Sequence, residues 1–234
     1  MRVLATLLLY GFALTSVAYC QDTLRREVVM AAVGQDDVVL SASIGAALTI
    51  LPQPLTEYPT PAPMLDSRFR LSLPLGLAVY GRIASNLATS VGQLGGMLQI
   101  PMGRLTIAPG YSVAYAYGYL TYVDGFNTTQ ERWINYPSVT ASWSFPRATL
   151  TARLEAELQT SIRSWIEDQP TGGDKDVFTG ALLTLAVEQP FFARTHVVLG
   201  VTFQSSTNPY QAWFLYNTFK DRLFSSEFFL GILL

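Results

Sequence analysis

The stretch from Ala148 to Trp165, ATLTARLEAELQTSIRSW, alternates along most of its length. Ala148, Leu150, Ala152, Leu154, Ala156, Leu158 and Ile162 occupy one set of alternate positions, interrupted only by Thr160. Thr149, Thr151, Arg153, Glu155, Glu157, Gln159, Ser161 and Arg163 occupy the other. Successive strand side chains point to opposite faces, so this is a strand with one apolar and one charged face. It is much longer than the usual soluble strand of about five or six residues. Leu150, Leu154 and Leu158 also fit a helical spacing, and Ala, Leu, Glu and Arg favour helix, so a helix is the competing reading. The preceding segment weighs against it. Trp133 to Phe145 alternates too, and only Pro146-Arg147 separates the two runs, as in an antiparallel hairpin.

The same pattern recurs. Val38–Thr49, Ser67–Tyr80, Asn86–Leu94, Arg104–Tyr119, Val177–Glu188, Thr195–Gln204, Tyr210–Phe219 and Ser226–Leu234 complete a set of ten predicted strands, with eight to twelve allowed. Gly81–Ser85 reads as a tight turn, and Gly95–Gly103 stays unassigned. Prolines at 52, 54, 59, 61 and 63 make Ile50–Asp66 a long loop, because proline has no N–H for a ladder. In Arg104–Tyr119 one face carries Tyr111, Tyr115, Tyr117 and Tyr119. The other carries only small residues, Thr106, Ala108, Gly110, Ser112, Ala114, Ala116 and Gly118, which leaves room beside that wall.

Half of the 234 residues are hydrophobic and only 14% are charged, against roughly a quarter in ordinary soluble domains. Yet after the first twenty residues no run is long and apolar enough for a membrane-spanning helix. Apolar residues spread over alternate strand positions reconcile the two facts: lipid on one side of a wall, a polar lumen on the other. The N-terminus reads as an export signal: Arg2, an apolar run from Val3 to Val17, and small residues before a cut after Cys20, with a cut after Ala18 as the runner-up. Tyr19 stands where a lipoprotein signal needs a small residue, which disfavours acylation of Cys20. The domain reading is 1–20 signal peptide, 21–37 periplasmic lead-in with a candidate extra strand at Val28–Val33, and 38–234 barrel.

A signal, repeated two-faced strands and a last strand running to Leu234 together resemble bacterial outer-membrane β-barrel proteins, an architecture class rather than one family. The resemblance implies a closed antiparallel transmembrane β-barrel in the bacterial outer membrane. In that class the final strand commonly ends on an aromatic residue; this chain ends on Leu234, with Phe228 and Phe229 upstream. Ten strands put both chain ends on the periplasmic side. The same parity puts Leu120–Arg132 and Ile166–Asp176 there too, where connections are normally short.

The charged faces nominate lumen-lining residues: Arg68, Arg70, Arg153, Glu155, Glu157, Arg163, Glu188 and His196, with Gln204. They line a narrow path for small solutes, or they pair with one another and fill the barrel. Tyr115, Tyr117, Tyr119, Trp133 and Trp143 form a candidate membrane-interface belt. The two tryptophans, ten residues apart on one face, span roughly 25 Å of wall height.

A net charge of -2 leaves no basic stripe for nucleic acid. The single histidine, His196, has Val198 two positions on, where outer-membrane lipid hydrolases place a serine. No acidic group reads alongside it as omptin-type proteases require, and there is no spaced metal-ligand cluster. The expectation is therefore no enzyme, no cofactor and no metal. The leading function is a narrow channel or passive path for small solutes. The alternative is a closed-lumen accessory barrel that binds a protein through loops 50–66 and 120–132, and a soluble β-sandwich is the third reading. The lipid bilayer is the one partner that the first two share.

Overall fold

The computed structural model describes residues 28–33, 38–56, 58, 60–121, 127–167, 169–171, 177–191, 195–213 and 222–234. The predicted signal peptide and residues 21–27 and 34–37 of the lead-in lie outside the described residues. Twelve strands follow one another: β1 (Val39–Ile50), β2 (Pro61–Ser72), β3 (Leu77–Ser85), β4 (Thr89–Leu98), β5 (Ile100–Met102), β6 (Leu105–Leu120), β7 (Thr128–Ser144), β8 (Thr149–Ile166), β9 (Gln169–Thr171), β10 (Phe178–Phe191), β11 (Thr195–Ser206) and β12 (Leu223–Leu233). Ten of them form the wall, in the order β10-β11-β12-β1-β2-β3-β4-β6-β7-β8. Pairing of β8 with β10 closes the ring, and every pairing is antiparallel. The three-residue β5 and β9 extend β6 and β8 at opposite rims. The chain is an all-β, closed, ten-stranded antiparallel barrel.

The alternation decides which way each strand faces. In β8 Leu154 is exposed on the outer wall, while Arg153, Glu155 and Glu157 are buried inside. Ile44, Leu65, Ile83, Leu94, Val139, Leu185, Leu199 and Leu230 carry the exposed apolar surface around the ring. A wall of large exposed hydrophobics is costly in water and suits hydrocarbon. Among the described residues no helix is long and apolar enough to cross a membrane.

Several predicted boundaries change. Ser67–Tyr80 is not one strand: Pro74–Gly76 turns the chain between β2 and β3, with Leu75 and Gly76 at φ 65° and 72°. Gly81–Ser85 belongs to β3, and Gly81 lies under the Phe69 ring, which an added Cβ would meet at 2.3 Å. Gly95 to Leu98 finishes β4. The proline-rich loop is shorter than predicted, because β2 begins at Pro61. The Leu51 N–H donates to the Thr60 carbonyl, so the ladder to β1 runs through Thr60, Ala62 and Met64. Pro61 and Pro63 turn their nitrogens to the other edge, where pairing with β3 starts only at Leu65, so their missing N–H breaks no bond.

The predicted strand Tyr210–Phe219 is overturned at its start. Tyr210–Ala212 is a buried 3-10 turn, and 214–221 lie outside the described residues. One predicted strand was thus two, and the start of another is a turn; the wall still has ten strands, while the parity between the two sites reverses. The connections 73–76, 99–104, 145–148 and 192–194 share one rim with the start of β1 and the end of β12. The connections 51–60, 86–88, 121–127, 167–177 and 207–222 share the other. The long loops therefore stand opposite the turn rim, contrary to the sequence expectation.

The seam between β1 and β12 depends on Gly45. A Cβ there would lie 1.9 Å from the Leu230 carbonyl oxygen, a backbone atom that cannot swing aside. Gly45→Ala is expected to cost about 1–3 kcal/mol, the usual range for overpacking, and Ala42→Val on the same strand much less. Denaturation of each variant in detergent, followed by heat-modifiable gel mobility, checks the difference.

Candidate functional site: the barrel lumen

The lumen holds three layers of polar contacts. At the turn rim, residues Val28–Ala32 lie inside the barrel and are buried. The Val29 and Met30 N–H groups donate to one Glu188 carboxylate oxygen at 2.6 and 3.0 Å, and the Ala31 N–H donates to the other at 2.7 Å. The Ala32 N–H donates to the Ser142 hydroxyl at 2.8 Å. Arg70 donates to the Ala31 and Val33 carbonyls and to Gln99, while Arg153 donates to Thr140 and to the Met30 carbonyl. Val28–Val33, where the sequence offered a candidate extra strand, is non-strand chain, held inside the lumen.

In the middle, Asp66 joins two arginines. Its oxygens accept from Arg68 and Arg82, each at 2.8 Å, and Arg82 reaches Glu227 at 2.6 Å. Thr49 also donates to Glu227 at 3.2 Å, and the Arg68 guanidinium lies 3.8 Å from the Phe229 ring centre. Near this cluster is a cavity of about 60 Å³, lined in part by Met30, Tyr80, Arg153, Glu155, Tyr210 and Glu227. That is room for a few waters. The Tyr80 hydroxyl and one Glu155 oxygen are buried there without a protein partner.

At the loop rim, Glu157 accepts from Thr179, Gln204 and Ser206 at 2.9, 2.8 and 3.1 Å. Tyr210, Gln211, Ala212 and Trp213 are buried. The Trp213 indole N–H donates to Thr89 at 2.9 Å, and its ring occupies the space where a side chain at Gly118 would be. Arg132 binds Gln130 and the Asn208 carbonyl and amide oxygens, which fastens the same turn to the wall.

Arg68, Arg70, Arg153, Glu155, Glu157 and Glu188 are buried in the lumen. Among the described residues no ion pair joins Arg153 to Glu155; Arg153 turns to Met30 and lies over the Tyr80 ring at 4.6 Å. Arg163 is a correction. Thr160 is an extra residue in β8, the register slips there, and Arg132, an inward side chain, now faces Ile162. Beyond this bulge the faces exchange, and Arg163 is exposed opposite Glu131. His196 is half-buried at the turn rim opposite Pro190. Trp133, Trp143, Tyr117 and Tyr119 are exposed on the outer wall, and the Tyr115 ring packs against Trp133 at a tilt of 49°, with ring centres 4.9 Å apart.

Sequence reasoning missed Asp66, Arg82, Arg132 and Glu227. Asp66 fell in the supposed proline loop, Arg82 in the supposed turn and Arg132 in the supposed loop 120–132. Their signal was present: Asp66 has the parity of Arg68 and Arg70, and Glu227 lies opposite the outward Phe228 and Leu230. Among the described residues there is no group of three or more metal-ligating acids, histidines or cysteines.

Removing the central carboxylate leaves the buried Arg68 guanidinium and the partly buried Arg82 guanidinium short of their counter-charge. Asp66→Ala is expected to destabilise the barrel by about 3–5 kcal/mol, the range for breaking a buried pair. Glu155→Gln, at a group with one oxygen already unpartnered, is expected to cost clearly less. Urea midpoints of the refolded variants in lipid vesicles measure both.

No protein-family model matches the chain, and no curated protein matches it. Solved structures do match, bacterial outer-membrane barrels among them. The outer membrane protease OmpT from Escherichia coli is 8% identical, over 85% of this chain and 95% of that one, with a TM-score of 0.43. The KdgM porin, solved with disordered oligogalacturonate, is 9% identical over 83% and 98%, with a TM-score of 0.40. Neisserial surface protein A is 13% identical over 83% and 94%, with a TM-score of 0.34.

Proposed function

We propose that this protein is a bacterial outer-membrane barrel whose lumen is shut by its own chain at rest, and whose loop rim serves as a contact surface for a partner protein. The observation that carries this reading is the filling of the lumen at both rims. Val28–Ala32 occupy the turn rim and Tyr210–Trp213 the loop rim, both buried. Between them stands the Asp66–Arg68–Arg82–Glu227 cluster, in which every charge has an opposite neighbour. Such groups hold a barrel together from inside, and the cavity they leave takes only a few waters.

Placement in a membrane is supported by the apolar outer wall. Trp133 and Tyr117 toward the loop rim and Trp143 toward the turn rim suit the two interfaces, where an indole or phenol meets lipid and water together. Short turns and both strand termini share a rim, which fits a periplasmic turn side and an external loop side. The contact loops are then 51–60 and 121–127, shorter than the sequence suggested, since 61–66 and 128–132 are strand.

A second reading, a narrow channel, is favoured by one observation. The N-terminal segment is bound through wall side chains rather than through a backbone ladder, so the wall is complete without it. Conductance of the purified protein in planar bilayers separates the two readings. The wild type is expected to carry no steady current, and Glu155→Gln to remain silent. A steady wild-type current that Glu155→Gln alters would overturn closure and establish the channel.

A further inference from the structure

We propose that the turn-rim half of the lumen is a binding site for a short curled peptide, filled here by Val28–Val33, and that Glu188 latches it. This rests on the closed-lumen reading and adds to it the chemistry of the stopper. Three consecutive N–H groups converge on one carboxylate. In an extended strand neighbouring N–H groups point to opposite edges, so only a curled backbone can present Val29, Met30 and Ala31 together. The carbonyls are taken in the same way: Met30 by Arg153, Ala31 and Val33 by Arg70. Donors and acceptors of one short segment thus meet an acid, two guanidiniums and the Ser142 hydroxyl, all from the wall.

The fit is by backbone and by size. Ala32 packs with Ala78, Tyr80, Met97 and Ala108, and Ala31 and Ala32 have no exposed surface. The recognition reads peptide backbone and small side chains, not charged ones. Val29 and Met30 also line the central cavity, so this segment is the partition between that cavity and the turn rim. It enters β1 at Val39 after a short link, which keeps it at high local concentration beside its site.

Thiol labelling of the full chain tests the latch. In a Cys20→Ser background, Val29→Cys supplies one thiol at a position 3% exposed, and Leu87→Cys supplies a fully exposed reference. Maleimide labelling of Val29→Cys is expected to be far slower than that of Leu87→Cys. Adding Glu188→Ala, which removes three charge-assisted hydrogen bonds, is expected to speed it at least about tenfold. Heat-modifiable mobility reports in parallel that the wall remains closed. Equal rates for Val29→Cys and Leu87→Cys would sink the closed-lumen reading itself. A protected Val29→Cys that stays protected in a folded Glu188→Ala barrel would sink the latch alone.

Discussion

Everything in this molecule depends on ten strands satisfying one another's backbone groups in a ring. In hydrocarbon an open strand edge would leave a row of N–H and C=O groups unpaired, each costing several kcal/mol. The pairings of β8 with β10 and of β1 with β12 remove those edges. Closure then forces a division of labour. Alternate side chains must face outward, and the rest are enclosed in a confined interior where most find partners among themselves. Gly45 lets β1 approach β12 closely at one seam, and the bulge at Thr160 marks where β8 rises past the regular wall.

Inside, most charges are met by other groups of the chain. Asp66 meets two arginines, Glu227 meets Arg82 and the Thr49 hydroxyl, and Glu157 is satisfied by neutral donors alone. Glu188 does something different in kind, since its oxygens bind main-chain N–H groups of a distant segment. The lumen is therefore a compartment stocked with chain from both rims rather than a bare cylinder of side chains. The small-residue face of β6 makes this geometrically feasible. Ala108 belongs to the same buried cluster as Ala32, and Gly118 accommodates the Trp213 ring.

The alternation of β8 made much of the wall legible, because a period of two states directly which side chains share a face. It failed where the backbone departed from regularity without a loud signal. Pro74-Leu75-Gly76 turned the chain inside an otherwise unbroken alternation, and Tyr210–Ala212 formed a buried turn where a strand start was expected. The extra residue at Thr160 moved Arg163 to the outer face, although Thr160 was itself the one visible break in the pattern. Prolines 61 and 63 looked like breakers because sequence does not say which edge of a strand lacks a partner.

By itself the sequence determined the two-faced strands, the apolar outer wall and the inward parity of Arg68, Arg70, Arg153, Glu155, Glu157 and Glu188. Those properties are local, carried by residue type and spacing. Only the tertiary structure decided which charges meet, which rim bears the long loops, and that Val28–Val33 enters the lumen. The meetings that define the lumen join residues far apart in the chain, such as Val29 and Glu188, 159 positions from one another, and Arg82 and Glu227, 145 positions apart. No periodicity in a one-dimensional pattern encodes such a meeting; it follows from where the closed ring brings separate segments into the same small space.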